Sequence, residues 1–300
     1  IELAQTKIVV DPGNGCQVDV ASKILKNLGA QVTAINDRLD GTFSDRNPDC
    51  SVATNLRDLC KTVVKENADI GIAFDGDGDR LAIVDDTGRV VPPEQVAMVL
   101  LNGTLNPQGG RAVVLDIKST MHFDRTIKSL GGQPVRCRSG HVYMKSKVIE
   151  TNAILGSEIS GHHFLGDLHG LDDPLHVALI LLRDLVTGGD RLSKQVNALP
   201  QQFMTEDLRL SMADSEIENI IMTCQTAFND AQVDTIDGVR LLWEDGWFLA
   251  RKSVTEQGMT FRLEGESEKA LKAISARVVA KISAIADQLE DAVIKVTERG

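Results

Sequence analysis

The densest chemistry in the sequence lies in six consecutive residues, Asp75-Gly76-Asp77-Gly78-Asp79-Arg80. Three carboxylates at alternate positions, separated by glycines, can turn three oxygens toward one point. That is the donor set of a hard divalent cation such as Mg²⁺, with the remaining positions left for water or phosphate. Arg80 adds a fixed cation suited to a phosphate beside that ion. A calcium-binding EF-hand loop does not fit. It needs glycine at its sixth position and glutamate at its twelfth, where this chain has Arg80 and Asp86. Three acids crowded into a turn with no cation would repel one another, which argues against an ordinary acidic surface turn.

An apolar run over 69–74 (DIGIAF) delivers these residues and predicts a buried strand ending where the acids begin. Around it the pattern alternates. A strand over 6–11 ends in Asp11 and the turn Pro12-Gly13-Asn14-Gly15, a helix over 20–28 stops at Gly29, and a strand covers 31–36. A helix covers 55–67, and a strand over 81–84 follows the acidic loop. After Pro92-Pro93 the pattern restarts: strand 111–116 ending in Asp116, helix 121–130, strand 133–137, helix 141–151, strand 153–156 and helix 175–186. The two stretches read as two copies of one α/β unit with largely parallel pairing, with no residue-level repeat evident. From about 203 the order changes to strands 203–210, 239–243, 247–250 and 259–263, with a helix near 215–229 and one long helix over 267–294. That is an α+β pattern. The expected fold class is therefore α/β, two tandem mixed-sheet domains followed by a smaller α+β domain. The divisions are 1–90, 91–203 and 204–300.

Composition bounds the function. The 300 residues are 42% hydrophobic and 25% charged, enough for two or three globular domains. A net charge of −11 argues against general nucleic-acid or acidic-membrane binding. No apolar run reaches the roughly 18 residues of a membrane span, and no signal peptide is visible. The five scattered cysteines lack CxxC spacing and read as buried thiols of a reducing compartment, which points to the cytoplasm. All six histidines fall in the middle third, the only third with net positive charge, a fair setting for an anionic small molecule.

The loop AFDGDGDR, together with VVDPGNG (9–15) and DGTFSDRNPD (40–49), resembles the α-D-phosphohexomutases, the phosphomannomutase/phosphoglucomutase superfamily. The resemblance continues in order through Lys118, Ser139-Gly140-His141 and Ser157-Glu158-Ile159-Ser160-Gly161-His162 to Arg251-Lys252-Ser253-Val254-Thr255-Glu256. Two departures stand out: Ser157 where glycine is usual, and Gln257 where proline is usual.

The resemblance implies roles. Asp75, Asp77 and Asp79 hold Mg²⁺. Arg80, Lys118 and His141 stabilise charge or carry protons near the transferring phosphoryl group. Glu158 and Ser160 offer an acceptor and a donor to adjacent sugar hydroxyls, with His162 in the same loop and Asp172-Asp173 orienting it or binding a cation. Arg251, Ser253 and Thr255 form a cage for the phosphate that does not react. Taken alone, Lys118 reads as a solvated lysine, and RKSVTE as a polar hairpin.

The family works through a phosphoserine and a bisphosphorylated sugar, with glucose 1,6-bisphosphate as activator. Its serine lies in a first-domain loop resembling Thr-Ala-Ser-His-Asn-Pro, and no Ser-His-Asn run occurs here. The expectation is domains two to four of a phosphomannomutase/phosphoglucomutase acting on mannose or glucose 1- and 6-phosphates. An N-terminal domain is its missing partner, and the isolated chain is inactive. A non-catalytic sugar-phosphate-binding module is the alternative. A phosphatase using Asp75 as nucleophile fits less well, because the carboxylates are committed to the metal.

Overall fold

The structure is a computed structural model that describes residues 1–253 and 257–298. Two compact units divide the chain. One comprises Ile1–Ser119 with Phe123–Pro200, the other Thr120–His122 with the residues from Gln201 on.

The first unit holds two five-stranded sheets. In sheet A the strands are β1 (Lys7–Asp11), β2 (Gln31–Ala34), β3 (Ile70–Phe74), β4 (Leu81–Asp85) and β5 (Val90–Val91), ordered β2-β1-β3-β4-β5. Sheet B contains β6 (Ala112–Asp116), β7 (Gln133–Cys137), β8 (Leu155–Ser157), β9 (His163–Leu165) and β10 (Leu171–Asp172), ordered β7-β6-β8-β9-β10. Pairing is the same in both. The first three strands are parallel, and the last two return antiparallel. β1, β3, β4 and β6 are almost wholly buried, which is why they read as unbroken apolar runs.

Helices α1 (Ala21–Asn27) and α2 (Arg57–Glu66) belong to the first copy, and α4 (Met121–Ser129) and α5 (His141–Thr151) to the second. Between them runs α3 (Pro93–Asn102), and after them α6 (Pro174–Gly188) and α7 (Leu192–Asn197). α3 and α6 pack against each other and share one apolar core with Ile72 and Ile83 of sheet A and Leu155 and Leu165 of sheet B. The sequence reading omits α3. Its stretch Val96–Leu101 is buried on every side, so it lacks the one-sided periodicity that marks a surface helix. The short elements β5, β9, β10 and α7 are absent from that reading too.

The second unit is an antiparallel sheet, β11 (Phe203–Met204), β12 (Leu208–Leu210), β13 (Gln232–Asp234), β14 (Val239–Trp243), β15 (Gly246–Lys252) and β16 (Met259–Gly265). It carries α8 (Asp214–Thr226), α9 (Glu268–Val279) and α10 (Ala286–Thr297). The single long helix expected over 267–294 is two helices, broken at residues 280–285. Ile282 and Ile285 keep the apolar spacing through the break. At 1.5 Å per residue an unbroken helix would extend about 40 Å. The break lets α10 pack on α9 over the same core instead. The α/β class of the tandem copies and the α+β class of the C-terminal part are as expected. Among the described residues no helix is long and apolar enough to cross a membrane.

Candidate active site

The acidic loop connects β3 to β4. Asp75, at its root, is 6% exposed and folds the loop around itself: one oxygen, Oδ1, accepts from the backbone N–H of Gly78 (3.1 Å), Asp79 (3.1 Å) and Arg80 (3.0 Å). One carboxylate oxygen each from Asp75, Asp77 and Asp79 lies within 4.8 Å of the others. Burial first, then the neighbouring Asp79 and Asp77, pushes the Asp75 carboxyl up to about 6, against the pull of its backbone donors and Arg80. A site that resists its own negative charge and converges only oxygens fits a hard divalent cation.

Two earlier segments brace this loop. Pro12-Gly13-Asn14-Gly15 leaves β1 beside it, and Cys16 N–H donates to the Gly76 carbonyl at 3.0 Å. A Cβ on Gly15 would stand 2.5 Å from that carbonyl, so only glycine permits the approach. Arg46, from DGTFSDRNPD, is buried against Asp11 (Nε to Oδ2, 2.9 Å) and donates to the Phe74 carbonyl at 2.6 Å. Cys16 is exposed on the turn with its thiol on the Asp77 carbonyl, so not every cysteine is buried as expected. All five cysteines are free thiols.

The corresponding connection in sheet B, between β8 and β9, is the Glu158–His162 turn. Glu158 N–H donates to the His162 carbonyl and Gly161 N–H to the Glu158 carbonyl. The two connections meet: Leu81 N–H donates to the Gly161 carbonyl at 3.0 Å, and Arg80 Nε–H donates to His162 Nε2 at 3.2 Å. Gly161 has φ +99°, and a Cβ there would lie 2.8 Å from the Leu81 carbonyl. Among the described residues Glu158 Oε2 and Ser160 Oγ are buried without a hydrogen-bond partner. Such orphaned groups are costly unless a ligand completes them.

Asp172, at the end of β10, organises the histidines. Its Oδ2 lies 2.8 Å from His162 Nδ1 and 3.0 Å from His141 Nε2. Burial pushes the Asp172 carboxyl up, but the two histidine hydrogen bonds outweigh it and hold it low. Burial likewise pushes His162 down, while the bond to Asp172 and the charges of Asp79 and Glu158 raise it on balance. A guanidinium can only donate, so the neutral His162 ring carries its proton on Nδ1 toward Asp172 and accepts from Arg80 at Nε2. Arg80 also approaches Asp75 (3.5 Å) and Asp49 (3.6 Å).

Lys118 follows β6, whose C-terminal end lies beside that of β8. It is buried, so the solvated-lysine reading is overturned. Its loop is set by Asp116, which accepts from Lys118 N–H (2.9 Å) and Ser139 Oγ–H (2.7 Å), and by Arg136, which donates to the carbonyls of Asp116, Ile117 and Ser119. In the second unit Arg251 lies within β15, past the 247–250 stretch expected as strand. It is 7% exposed and paired with Asp237 at 3.0 Å. Ser253 N–H donates to the Gly258 carbonyl, and Thr255 lies outside the described residues.

Thus Asp75, Asp77, Asp79, Arg80, His141, Glu158, Ser160 and His162 come together in the first unit, and Arg251 and Ser253 sit in the second. The supports Arg46 and Arg136 have no role in the sequence reading. Their signal was weak, since Arg46 falls inside a recognised motif but an arginine's buried partners are not visible along the chain.

Models of the phosphoglucomutase/phosphomannomutase family match three successive stretches: alpha/beta/alpha domain II over residues 1–88, alpha/beta/alpha domain III over 92–203 and the C-terminal domain over 210–281. The chain belongs to this family. It is 34% identical over 272 residues to the phosphomannomutase/phosphoglucomutase of Pseudomonas aeruginosa, covering 89% of this chain and 58% of that protein. To the phosphoglucomutase of Neisseria meningitidis it is 35% identical over 273 residues, covering 89% and 59%. The crystal structure of a phosphoglucomutase/phosphomannomutase family protein from Burkholderia thailandensis superposes with a TM-score of 0.83 at 33% identity, over 97% of this chain and 62% of that one. The chain therefore spans less than two thirds of the length of these relatives.

Proposed function

We propose that this chain is the cation-, sugar- and phosphate-binding part of a phosphohexomutase that interconverts hexose 1- and 6-phosphates through a phosphoserine and a bisphosphorylated sugar. The observation that carries the reading is the meeting of the two connections, Leu81 with Gly161 and Arg80 with His162, which sets an acidic cation loop against a turn with unpartnered sugar-type donors and acceptors. The relatives' names support the same class of reaction.

In this reading Asp75, Asp77 and Asp79 hold Mg²⁺, which when bound neutralises charge on the transferring phosphoryl group. Arg80 contributes a second positive charge there, and Lys118 a third. Glu158 and Ser160 accept from and donate to neighbouring sugar hydroxyls, fixing which hydroxyl faces the phosphoryl group. His162 Nε2, once Arg80 turns to a phosphate, is a free lone pair able to take a hydroxyl proton, while Asp172 steadies the ring through Nδ1. His141 shares Asp172 and adds charge beside it. Arg251, Ser253 and Thr255 take the phosphate that does not react.

The 300 residues contain no Ser-His-Asn run to carry the phosphoryl group, so the chain by itself does not turn over. The test supplies glucose 1-phosphate, Mg²⁺ and catalytic glucose 1,6-bisphosphate and follows glucose 6-phosphate. The expected result is no turnover by the chain alone, and turnover once a separately expressed serine-bearing domain of a relative is added. Turnover of about 1–10³ s⁻¹ by the chain alone would place the nucleophile within it. Silence in both arms would favour a non-catalytic sugar-phosphate-binding module.

A further inference from the structure

A second group of metal-type donors adjoins the acidic loop. One ring nitrogen each of His141 and His162 and one carboxylate oxygen each of Asp79 and Asp172 all lie within 4.8 Å of one another. The individual separations are 3.0 Å for His141 to Asp172, 2.8 Å for His162 to Asp172 and 3.9 Å for His162 to Asp79. Metal–ligand bonds of about 2.0–2.2 Å in a tetrahedron space the ligands roughly 3.3–3.6 Å apart. The observed set brackets that spacing, so small rotations about existing side-chain torsions would close it.

We infer that these four residues form a second cation site, distinct in chemistry from the oxygen-only loop and sharing Asp79 with it. Two imidazoles and two carboxylates suit the borderline divalent ions, Zn²⁺, Co²⁺ and Mn²⁺, whereas Mg²⁺ prefers oxygen and water. The ligands are held in advance. His141 opens α5, His162 precedes β9 and Asp172 ends β10, so three regular elements fix three of the four donors. The two rings stand edge to face, with centroids 5.4 Å apart, and His162 stacks on Phe164. In the ion-free arrangement N–H protons fill the space between each ring and Asp172. A bound ion takes the place of those protons.

Binding at His162 Nδ1 has a stated cost. The neutral ring must then carry its proton on Nε2, where Arg80 Nε–H now donates, so Arg80 must leave for its alternative carboxylates, Asp75 or Asp49. Sharing Asp79 also sets the two ions in competition. On the proposed function, an ion in the histidine site removes His162 Nε2 as a proton acceptor, and such ions would inhibit where Mg²⁺ activates.

The test is a Co²⁺ titration of the full 300-residue chain, reading the strong visible bands that distinguish tetrahedral Co²⁺ from the pale hydrated ion. One equivalent should generate the bands. His141→Ala and Asp172→Asn should each weaken binding at least about tenfold, and Asp77→Asn, which cripples only the oxygen loop, should keep the bands. Far-UV circular dichroism checks that each variant is folded. Should Asp172→Asn fail to fold, His141→Ala decides the matter, because the His141 side chain is 40% exposed and its loss leaves the core intact. Absence of the bands in the unaltered chain would overturn the inference. So would bands that survive His141→Ala, or bands that vanish with Asp77→Asn. No sugar phosphate enters this experiment, so its failure leaves the phosphoryl-transfer reading standing.

Discussion

Sheets A and B share a topology and a packing device but not a chemistry. In each, a helix ends in a left-handed asparagine, Asn67 or Asn152, followed by an alanine whose N–H caps the helix, Ala68 to the Val63 carbonyl or Ala153 to the Val148 carbonyl. Three residues after that alanine, Gly71 or Gly156 lets the helix valine come against the strand. A Cβ on either would meet Val63 or Val148 at 2.7 or 2.6 Å. Register then aligns Asp11 with Ala73 in one copy and Leu115 with Ser157 in the other, so Glu158 follows Ser157 where β3 still runs on through Ala73 and Phe74. Sheet A keeps Ile72 opposite Ile83, whereas sheet B places Ser157 opposite His163, both pairs buried. The scaffold is duplicated, and the chemistry has diverged at the strand ends, where loops leave the C-terminal edge of parallel strands and are free to vary.

The largest difference should appear at the arginines under the loops of the two copies. Arg46 pairs with buried Asp11, while Arg136 chiefly binds carbonyls, with Asp124 as its partner at the more exposed end. Burial pushes the Asp11 carboxyl up, with Arg46 and neighbouring donors pulling against it. Arg46→Ala strands that carboxylate and should cost about 3–5 kcal/mol of first-unit stability. Arg136→Ala should cost about 1–3 kcal/mol, because carbonyls left alone are cheaper than a charge. Urea unfolding followed by far-UV circular dichroism measures both. Both tryptophans lie in the second unit, so their fluorescence supplies an internal control that should not move. Equal losses would mean that the two arginines do the same job.

Next in size, Gly71→Ala and Gly156→Ala should each destabilise by about 1–3 kcal/mol, and by similar amounts, since each forces the same valine away from the same strand position. A gap of more than about 1.5 kcal/mol between them would show that the packing device is not shared.

The smallest effect separates the polar pair from the apolar one. Burial pushes His163 down to about 4, with the nearby His162 adding to it, so the native state holds it neutral. In the unfolded chain the ring protonates near 6.5. This group's contribution to stability is therefore complete above pH 6.5 and falls as pH drops toward 4. Between pH 7 and 5 it should account for about 1–2 kcal/mol. His163→Leu should flatten that part of the pH profile while leaving stability at pH 7 unchanged or higher. An identical acid sensitivity in the variant would refute the buried-neutral assignment.

Much of this was legible along the chain where the signal was local. Buried parallel strands announce themselves as apolar runs, and the acidic loop is defined by residues two apart. The repeat was legible as an order of elements more than as residues, because the recurring ones are scattered: Asp11 and Asp116 at strand ends, Lys26, Leu28, Gly29 and Gln31 against Lys128, Leu130, Gly131 and Gln133 at a helix end, and the Val, Asn, Ala and Gly of the capping and packing device. The burial of Lys118, the buried partners of Arg46 and the sharing of Asp172 by two histidines were out of reach, since each depends on groups brought together by sheet topology. His163 was invisible for the same reason, as nothing in a Gly-His-His run says which ring faces the core.

Loops from the two copies meet through Leu81 with Gly161 and Arg80 with His162. The most direct measurement is calorimetric titration of glucose 1-phosphate into the chain at zero and saturating Mg²⁺, repeated with Asp77→Asn and Glu158→Gln. Mg²⁺ should tighten binding about 5–30-fold in the unaltered chain. Asp77→Asn should abolish this gain, and Glu158→Gln should weaken binding with or without the ion. Binding that is indifferent to Mg²⁺, or a gain that survives Asp77→Asn, would mean that the acidic loop and the sugar turn are two neighbours rather than one site.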